Sequence, residues 1–293
     1  MFKRVTIIGL GLIGGSLALA IKEKRMAKEI VGVSRRPSTI RQALALKIVD
    51  QATLNVKEGI KGSDLVILAT PVIKIIDIAR EISGFLKKDL LTLTFSTEER
   101  RKAEGVIITD VGSTKKKIVR TIESILPDTV NFVGSHPLAG SEKSGLTYMD
   151  KDLFKGAYCI LTETKRTNPE TLNKIKKFWN RLGLKVEIMS PQRHDRIISR
   201  LSHLPHAVSV ALSNTCGKKD LQLAAGGFKD TTRIASGRPE LWKDIFITNR
   251  KNIARDIRVL KKELSKIEIA LKNNNSAQLL RLLNRAKDIR DSI

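Results

Sequence analysis

Hydrophobic and polar positions follow one clear pattern in the first part of this chain. Helical stretches separate short apolar, β-branched runs, which cover residues 5–8, 30–33, 64–70, 106–109 and 185–189. Short continuous apolar runs that alternate with helices are typical of a parallel sheet covered on both faces. The last run follows a predicted amphipathic helix over 168–182. The pattern therefore predicts an α/β fold with a doubly wound, mostly parallel sheet.

A different pattern begins after Ser190-Pro191, two residues that break the alternation of helix and strand. Beyond them, apolar side chains recur at steps of three and four, which is the spacing of one helix face. The longest series of this kind is Ile253, Ile257, Leu260, Leu264, Ile267 and Leu271. The sequence therefore predicts two domains, an α/β domain over 1–189 and an all-α domain over 190–293.

Composition excludes several classes of protein. Apolar residues make up 41% and charged residues 29% of the 293 residues, which is the composition of a globular protein. No apolar run reaches the roughly 18 residues of a membrane span, and the N-terminus lacks the order of regions in a cleavable signal peptide. The two cysteines, Cys159 and Cys216, cannot form a disulfide framework or a zinc site alone. We therefore expect a protein of the reducing cytoplasm with no membrane partner.

The net charge is unusual, because 54 Lys and Arg against 30 Asp and Glu give +24. Such an excess favours anionic partners, including nucleic acids, acidic membrane surfaces and small molecules with phosphate or carboxylate groups. Aromatic residues are only 4% of the chain, so stacking platforms for bases are scarce. The basic residues are also scattered along helical sequence. We therefore expect a solvated basic surface without a nucleic-acid partner, and nucleic-acid binding is the alternative.

A glycine-rich turn after the first predicted strand indicates a dinucleotide. In this context the first glycine permits a tight turn, the second lets the backbone approach a pyrophosphate, and the third lets helix and strand pack closely. The N-terminus of the following helix then faces the negative phosphates. All six residues of the turn are candidate cofactor contacts: Gly9, Leu10, Gly11, Leu12, Ile13 and Gly14. The sequence therefore predicts a Rossmann-type dinucleotide-binding domain.

The end of the second predicted strand bears on the choice between NAD and NADP. An NAD site usually has Asp or Glu about 20 residues after the glycines, where the carboxylate binds the ribose hydroxyls. This chain has Ser34, Arg35 and Arg36 there. A hydroxyl and two guanidinium groups suit the 2′-phosphate of NADP, which a carboxylate would repel. We therefore expect NADP as the preferred cofactor, and NAD if the arginines are only exposed loop residues.

Two loops after predicted strands contain candidate catalytic groups. His136 lies in a stretch rich in small and polar residues, and an imidazole titrates near working pH, so it is a candidate acid or base. Ser113, in the other loop, could hydrogen-bond a substrate hydroxyl or orient the imidazole. Such loops converge at the carboxyl ends of the strands in a doubly wound sheet. We therefore expect both residues at one site.

The predicted helical domain adds candidate binding residues. Ser202 and His206 are about one helical turn apart, so both could face one ligand. Arg233 follows a glycine turn and could clamp a carboxylate, or it could form a structural salt bridge with Asp230 or Asp244. No HExxH pattern or cysteine pair accompanies the histidines, so we expect no metal site.

These motifs together resemble those of the prephenate/arogenate dehydrogenase family. The resemblance covers almost the whole chain and rests on GLGLIGGSLALAI at the start, ATPV at 69–72, TDVGSTK at 109–115, GSHPLAGSEKSG at 134–145, SHLPHAV at 202–208 and GGFKDTTRIASGRPELW at 226–242. It implies oxidative decarboxylation of prephenate to 4-hydroxyphenylpyruvate in tyrosine biosynthesis. The ring carbon that carries the hydroxyl loses hydride to the nicotinamide, and the ring carboxylate leaves as carbon dioxide.

The resemblance also implies roles for particular residues. His136 matches the catalytic histidine, which polarises the ring hydroxyl. Ser113 matches a serine that keeps His136 in register with the nicotinamide. Thr70 and Pro71, in the ATPV segment, are expected beside the cofactor. The matched substrate-binding positions are Ser202, His206, Arg233, Gly226, Trp242 and Glu142, the last at the pocket mouth. A homodimer through the helical domain is implied, with Gly226 and Trp242 near the partner's pocket.

The choice between prephenate and arogenate concerns the substrate's side chain, which is a keto acid in the first and an amino acid in the second. His206 can hydrogen-bond a keto acid and would suit an ammonium less well, and in the family a histidine here goes with prephenate. We therefore expect a prephenate dehydrogenase, with an arogenate or dual-specificity cyclohexadienyl dehydrogenase as the alternative. A nucleic-acid-binding protein and a dehydrogenase of hydroxy or imino acids are more distant alternatives.

Two features depart from the family pattern. Segment 90–104 is longer than expected between the corresponding strands, and no function follows from its sequence. The chain also shows no appended regulatory domain, so we expect any inhibition by tyrosine to act at the active site itself.

Overall fold

The computed structural model describes residues 1–91, 105–141, 143–217 and 219–292. The unassigned segment 90–104 therefore falls, apart from the end of one helix, outside the described residues. The strands are β1 (Phe2–Ile8), β2 (Ala27–Val33), β3 (Gln51–Thr53), β4 (Leu65–Leu68), β5 (Ile107–Asp110), β6 (Asn131–Pro137), β7 (Tyr158–Thr162) and β8 (Lys185–Met189). The described helices between them are α1 (Leu12–Glu23), α2 (Pro37–Ala45), α3 (Val56–Ile60), α4 (Val72–Leu91), α5 (Lys116–Ile125) and α6 (Pro169–Leu182).

All these strands form one eight-stranded sheet with the order β3-β2-β1-β4-β5-β6-β7-β8. Neighbours from β3 through β6 are parallel, β7 is antiparallel to β6, and β8 is parallel to β7. The predicted doubly wound, mostly parallel sheet is therefore confirmed. The strand order reverses between β1 and β4, and sheets of this kind bind ligands at such a point, outside the carboxyl ends of the strands.

Helices cover both faces of the sheet, as strand β4 shows. Leu65 and Ile67 pack into one core with residues of α1 and α6, whereas Val66 and Leu68 pack into a second core with residues of α4 and α5. All four side chains are buried. Successive side chains of a strand point to opposite faces, so a strand covered on both faces needs a continuous apolar run.

Helices make up the regular structure described after β8. They are α7 (Pro191–Ile198), α8 (Leu204–Thr215), α9 (Gly226–Thr232), α10 (Pro239–Thr248), α11 (Arg250–Lys272) and α12 (Ser276–Asp291). Ser190 begins this part, because its Oγ accepts a hydrogen bond from the amide of Arg193 (3.2 Å) and Pro191 occupies the first helical turn. The residues between α7 and α8, Ser199–His203, form one π-helical turn. The predicted helical second part is confirmed, and none of the described helices could span a membrane.

The predicted apolar stripe on α11 is only partly buried in the single chain. Ile253, near its N-terminal end, is buried, whereas Leu264 and Leu271 are 55% and 62% exposed. Leu283 on the neighbouring helix α12 is 58% exposed. Exposed apolar rows on adjacent helices are typical of surfaces that bind another protein chain.

Candidate active site

The turn between β1 and α1 has the geometry that a dinucleotide requires. Gly9 has φ of +105°, a region that favours glycine. A Cβ on Gly14 would lie 1.9 Å from the carbonyl oxygen of Gly9, so the helix can approach the strand only without a side chain. A Cβ on Gly11 would meet no described atom within 4 Å, so the space above it is open. The three predicted glycine roles therefore fit this turn, and the open space suits a pyrophosphate.

The other predicted cofactor residues surround this turn. Leu10 and Leu12 are buried, and Ile13 is half-buried in the first turn of α1. Thr70 and Pro71 follow β4, the strand beside β1. The hydroxyl of Thr70 is buried and has no hydrogen-bond partner among the described residues. A buried hydroxyl without a partner costs free energy unless a ligand or water satisfies it, so this group also fits a bound cofactor.

The residues expected to distinguish NADP from NAD lie at the carboxyl end of β2, at the same edge of the sheet. Ser34 Oγ accepts a hydrogen bond from the amide of Arg36 (3.3 Å), and Arg35 and Arg36 are exposed. Exposure leaves both guanidinium groups accessible to a phosphate.

The prediction that His136 lies in a loop is wrong. This residue lies near the end of strand β6. The antiparallel strand β7 continues the pairing of β6 as far as Pro137 and pairs His136 with Ile160. A strand holds its backbone more rigidly than a loop would. The imidazole is 9% exposed, compared with 0% for His194, its neighbour.

His136, His194 and Asp195 form a chain of hydrogen bonds. Nδ1 of His136 lies 2.8 Å from Nε2 of His194, and Nδ1 of His194 lies 2.8 Å from Oδ1 of Asp195. A carboxylate only accepts hydrogen bonds, so Nδ1 of His194 carries the proton and its Nε2 accepts. Nδ1 of His136 then donates to His194, which leaves Nε2 of His136 as an unprotonated acceptor. The chain therefore fixes the tautomer that a general base needs.

Helix α5 holds the carboxylate at the end of this chain. The amides of Lys115 and Lys116, at the N-terminus of α5, donate to Oδ1 and Oδ2 of Asp195 at 2.7 Å and 3.1 Å. Burial raises the pKa of Asp195, and these two amides together with the charge of Lys115 act against that increase. The N-terminus of a helix stabilises a negative charge, so α5 favours the ionised carboxylate.

Burial favours the neutral form of both histidines in this chain of hydrogen bonds, His136 and His194. Burial lowers the pKa of His136 and of His194 well below the usual 6.5, and the positive charge of Lys115 lowers both further. An imidazole with a low pKa is available as a proton acceptor at neutral pH. The arrangement can therefore take a proton from a hydroxyl placed at Nε2 of His136.

The helical part contributes a second side of the site. His206 stacks on Trp242 at 3.5 Å between ring centroids and 8° between planes. Burial lowers the pKa of both His203 and His206 to about 4. Nε2 of His203 and Nδ1 of His206 are buried without a partner among the described residues, so both can bind a polar group. Ser202, by contrast, is exposed on the π-helical turn.

Asn249 and Thr248, at the end of α10, hold the helical part together and attach it to the sheet domain. Nδ2 of Asn249 donates to the backbone carbonyl of Asp195 at 2.7 Å and lies 3.1 Å from Nδ1 of His203. Thr114 and Thr248 add a hydrogen bond of 3.0 Å between the loop before α5 and the end of α10. The end of α10 is therefore attached both to α7, which contributes the residues that orient His136, and to the loop before α5.

The remaining predicted residues occupy less buried positions. Ser113 is half-buried between β5 and α5, and no hydrogen bond of the described residues joins it to His136. Gly226 begins α9, and Arg233 follows this helix as an exposed residue. Glu142 lies outside the described residues, so its position at a pocket mouth stays a prediction.

Sequence reasoning gave no role to His194 and Asp195, which complete the hydrogen-bond chain. They are separated from His136 by 58 and 59 residues, and no short motif spans that distance. A signal was nevertheless present, because a His-Asp pair lies three and four residues after Pro191, near the start of a predicted helical part.

A dinucleotide turn at the switch point of a doubly wound sheet, with a neutral buried histidine nearby, defines an NAD(P)-dependent oxidoreductase with a helical second part. Comparison with known families is more specific. Residues 17–101 and 97–188 match the prephenate dehydrogenase nucleotide-binding domain, and residues 190–285 match the prephenate dehydrogenase dimerization domain. The chain belongs to the prephenate dehydrogenase family.

Individual relatives agree with this assignment. The prephenate dehydrogenase of Bacillus subtilis (strain 168) is 35% identical over 300 residues, which cover 100% of this chain and 76% of the relative. The cyclohexadienyl dehydrogenase of Zymomonas mobilis is 31% identical over 96% of this chain and 92% of the relative. A crystal structure of prephenate dehydrogenase from A. aeolicus with hydroxyphenyl propionate and NAD+ covers 100% of this chain and 98% of its own, with a TM-score of 0.88 and 34% identity.

Proposed function

We propose that this protein is a prephenate dehydrogenase that converts prephenate to 4-hydroxyphenylpyruvate and carbon dioxide, with transfer of hydride to NAD(P)+. The observation that carries the proposal is the chain from His136 through His194 to Asp195, which leaves Nε2 of His136 as an acceptor for a hydroxyl proton. The names of the relatives from B. subtilis and A. aeolicus support the same substrate.

His136 handles the proton in the proposed reaction. Its Nε2 accepts a hydrogen bond from the ring hydroxyl. It takes the hydroxyl proton as the ring carbon that carries this hydroxyl loses hydride. The bound nicotinamide supplies the acceptor for that hydride. The new positive charge on His136 is shared through His194 with the carboxylate of Asp195.

Aromatisation completes the proposed reaction. The electrons of the bond to the departing carboxylate enter the ring, and the phenolate oxygen regains the proton that His136 held. Prephenate and NAD(P)+ are thereby converted to 4-hydroxyphenylpyruvate, carbon dioxide and reduced cofactor with no net release of a proton. A histidine with a low pKa suits this cycle, because it holds the proton only transiently.

The helical side is proposed to bind the rest of the substrate. Arg233 would bind a carboxylate, and Ser202 and His206 would contact the substrate's side chain. The buried, unpartnered Nδ1 of His206 supports this role, since a ligand could satisfy it. We keep Gly226 and Trp242 as pocket residues, and Glu142 as a residue at its mouth. The cyclohexadienyl relative keeps an arogenate-using or dual-specificity enzyme as the alternative.

The cofactor is proposed to lie on the turn formed by residues 9–14, with the hydroxyl of Thr70 as a further partner. The open space at Gly11 and the buried oxygen of Thr70 support binding of a dinucleotide. We propose NADP as the preferred form because Arg35 and Arg36 present two accessible guanidinium groups at the end of β2.

We further propose that residues 1–189 bind the cofactor and that residues 190–293 form a homodimer. The match to a dimerization domain and the exposed apolar rows of α11 and α12 support the second assignment. Ser113 is proposed to keep His136 and the nicotinamide in register. A cytoplasmic location and a reaction without metal are also part of the proposal.

The test is a two-by-two assay of purified protein, with prephenate or arogenate as substrate and NAD+ or NADP+ as cofactor. The absorbance of reduced nicotinamide should grow fastest with prephenate and NADP+. Turnover with arogenate alone would replace the proposed substrate. Equal use of the two cofactors, or use of NAD+ alone, would contradict the role of Arg35 and Arg36. No turnover in all four assays, with dinucleotide binding demonstrated separately, would refute the proposed function.

A further inference from the structure

Lys115 and Asp110 form a buried ion pair beside Ser135, the residue that precedes His136. Neither residue has a role in the proposed binding of substrate or cofactor. Lys115 and Asp110 are both 0% exposed, and Nζ of Lys115 is in direct hydrogen-bond contact with Oδ2 of Asp110. Burial of two charges is costly even when they are paired, and such pairs contribute little net stability. A pair of this kind at an active site therefore calls for a functional explanation.

The ion pair forms hydrogen bonds with the backbone of Ser135, the residue that precedes His136. Nζ of Lys115 donates to the backbone carbonyl of Ser135 at 2.6 Å, and the amide of Ser135 donates to Oδ1 of Asp110 at 3.2 Å. The Ser135 hydroxyl is fixed as well, because it lies 2.7 Å from Oγ1 of Thr109 and accepts from the indole N–H of Trp179 at 3.1 Å. Ser135, the residue before His136, is therefore held at two backbone atoms and at its side-chain hydroxyl.

Lys115 also reaches the other end of the hydrogen-bond chain. Its backbone amide donates a hydrogen bond to Oδ1 of Asp195, the same oxygen that accepts the hydrogen bond from Nδ1 of His194. One residue thus connects the strand that carries His136 with the carboxylate that orients it. A displacement of Lys115 would change both ends of the chain together.

We propose that Lys115 and Asp110 are positioning residues for His136. The pair fixes the end of β6. The positive charge of Lys115 disfavours a positive charge on the nearby imidazole, so His136 remains unprotonated and can accept a proton. The inference rests on the proposed function, in which an unprotonated His136 is the acceptor for the hydroxyl proton.

The charges around His136 agree with this role. Burial is the largest cause of its low pKa, and His194, Lys115 and His203 each lower that pKa further. The charged or titratable groups that act on His136 are His194 on α7, Lys115 before α5 and His203 on the π-helical turn. Cys159 on β7 contacts the backbone of His136, Asp110 on β5 pairs with Lys115, and Asp195 on α7 pairs with His194. Burial raises the pKa of the Cys159 thiol, so it stays uncharged. Lys115 is therefore the cation of this set, paired with Asp110.

The ionised state of the pair is supported by its surroundings. Burial lowers the pKa of Lys115 and raises the pKa of Asp110, and their direct contact offsets part of each change. Asp110 also accepts hydrogen bonds from the amides of Gly112 (2.8 Å) and Ser135. Three donors to one carboxylate favour its charged form, and the charged carboxylate in turn favours the charged lysine.

The experiment measures the protonation of His136 directly. The chain has four histidines, so labelling of histidine with carbon-13 gives few resonances, and the His136→Asn variant identifies the one of interest. The titration is recorded for native protein, Lys115→Met, Lys115→Arg and the double variant Lys115→Met/Asp110→Asn. Lys151→Met is the matched control, because Lys151 forms an exposed ion pair with Glu23 at 3.1 Å.

We expect His136 to titrate at higher pH in Lys115→Met, and close to its native pH in Lys115→Arg and Lys151→Met. The acid limb of the kcat profile should move in the same direction, with about tenfold less activity than native protein at its acid end and a smaller difference at its alkaline end. If Lys115→Met loses the native spectrum, the double variant provides the test, since it leaves no unpaired buried charge.

A folded Lys115→Met or double variant whose His136 titrates as in native protein would overturn the proposal. A uniform loss of kcat at all pH values, without a change in this titration, would also overturn it, because it would show a merely structural role. The titration needs no turnover. A protein that fails to oxidise prephenate yet shows the shifted His136 would therefore refute the proposed function separately.

Discussion

The two sides of the candidate site are built in opposite ways. On the first side, the chain from β6 to α7, Lys115, His136, His194 and Asp195 are buried and joined by hydrogen bonds. On the second side, the segment around α9, this helix contains no buried residue, and Arg233 after it is exposed. Within one chain, the groups that would move a proton are thus already in place, whereas the group that would bind a carboxylate still faces solvent.

The difference has a physical reason. Proton transfer requires one tautomer in one orientation, and only a rigid network of hydrogen bonds maintains both. A binding arginine has the opposite requirement, because burial of its charge without a carboxylate would be costly. Arg233 meets this requirement, because it lies after α9 as an exposed residue. The contrast predicts that changes in the buried hydrogen-bond chain affect kcat and that changes in the exposed segment around α9 affect KM.

The strongest test of this contrast is His136→Asn. Asparagine can still hydrogen-bond a hydroxyl but cannot take its proton, so kcat should fall by about 10²-fold or more. Binding of the dinucleotide, measured by fluorescence titration, should stay close to native because His136 lies outside the glycine turn. Turnover close to the native value would remove His136 from the mechanism.

The next effect in size is expected for Asp195→Asn. An amide in place of the carboxylate no longer fixes the protonated nitrogen of His194, so the tautomer of His136 is no longer defined. We expect kcat to fall by about 10- to 100-fold with little change in KM. Asp256→Asn is the matched control, since Asp256 is also a buried carboxylate but binds Ser199 at 2.6 Å, away from His136. Equal losses of kcat in both variants would show that burial of a carboxylate, and not the chain to His136, matters.

The smallest of the three effects is expected for Arg233→Ala. Loss of a charge-assisted hydrogen bond to a substrate carboxylate should raise KM for prephenate by about tenfold and leave kcat nearly unchanged. Arg238→Ala removes a neighbouring exposed arginine and should leave both constants at native values. An unchanged KM in Arg233→Ala would show that the clamp is assigned to the wrong residue.

Much of the fold could be predicted because the responsible signals are local. The predicted helix over 168–182 and strand over 185–189 match α6 (Pro169–Leu182) and β8 (Lys185–Met189) closely. Strands β3 and β7 were not predicted. β3 has only three residues, and β7 is recognisable mainly through its antiparallel partner β6, which also places His136 in a strand.

The candidate site could be predicted only in part, for a related reason. Motifs around Gly9 and His136 indicated a cofactor turn and a catalytic base. The partners of His136 could not be found in this way, because Lys115, His194 and Asp195 reach it from other elements. A contact between residues 58 positions apart depends on how strands and helices pack, and no local pattern records it.

The sequence by itself determined the features that depend on a few neighbouring residues. The conformation at Gly9 is one of them, because the allowed backbone angles belong to the residue type. The tertiary structure alone decided which nitrogen of His136 is free, how low its pKa lies and which part of the α11 stripe remains exposed. These properties depend on burial and on charges supplied by distant segments, and both arise only when the chain is packed.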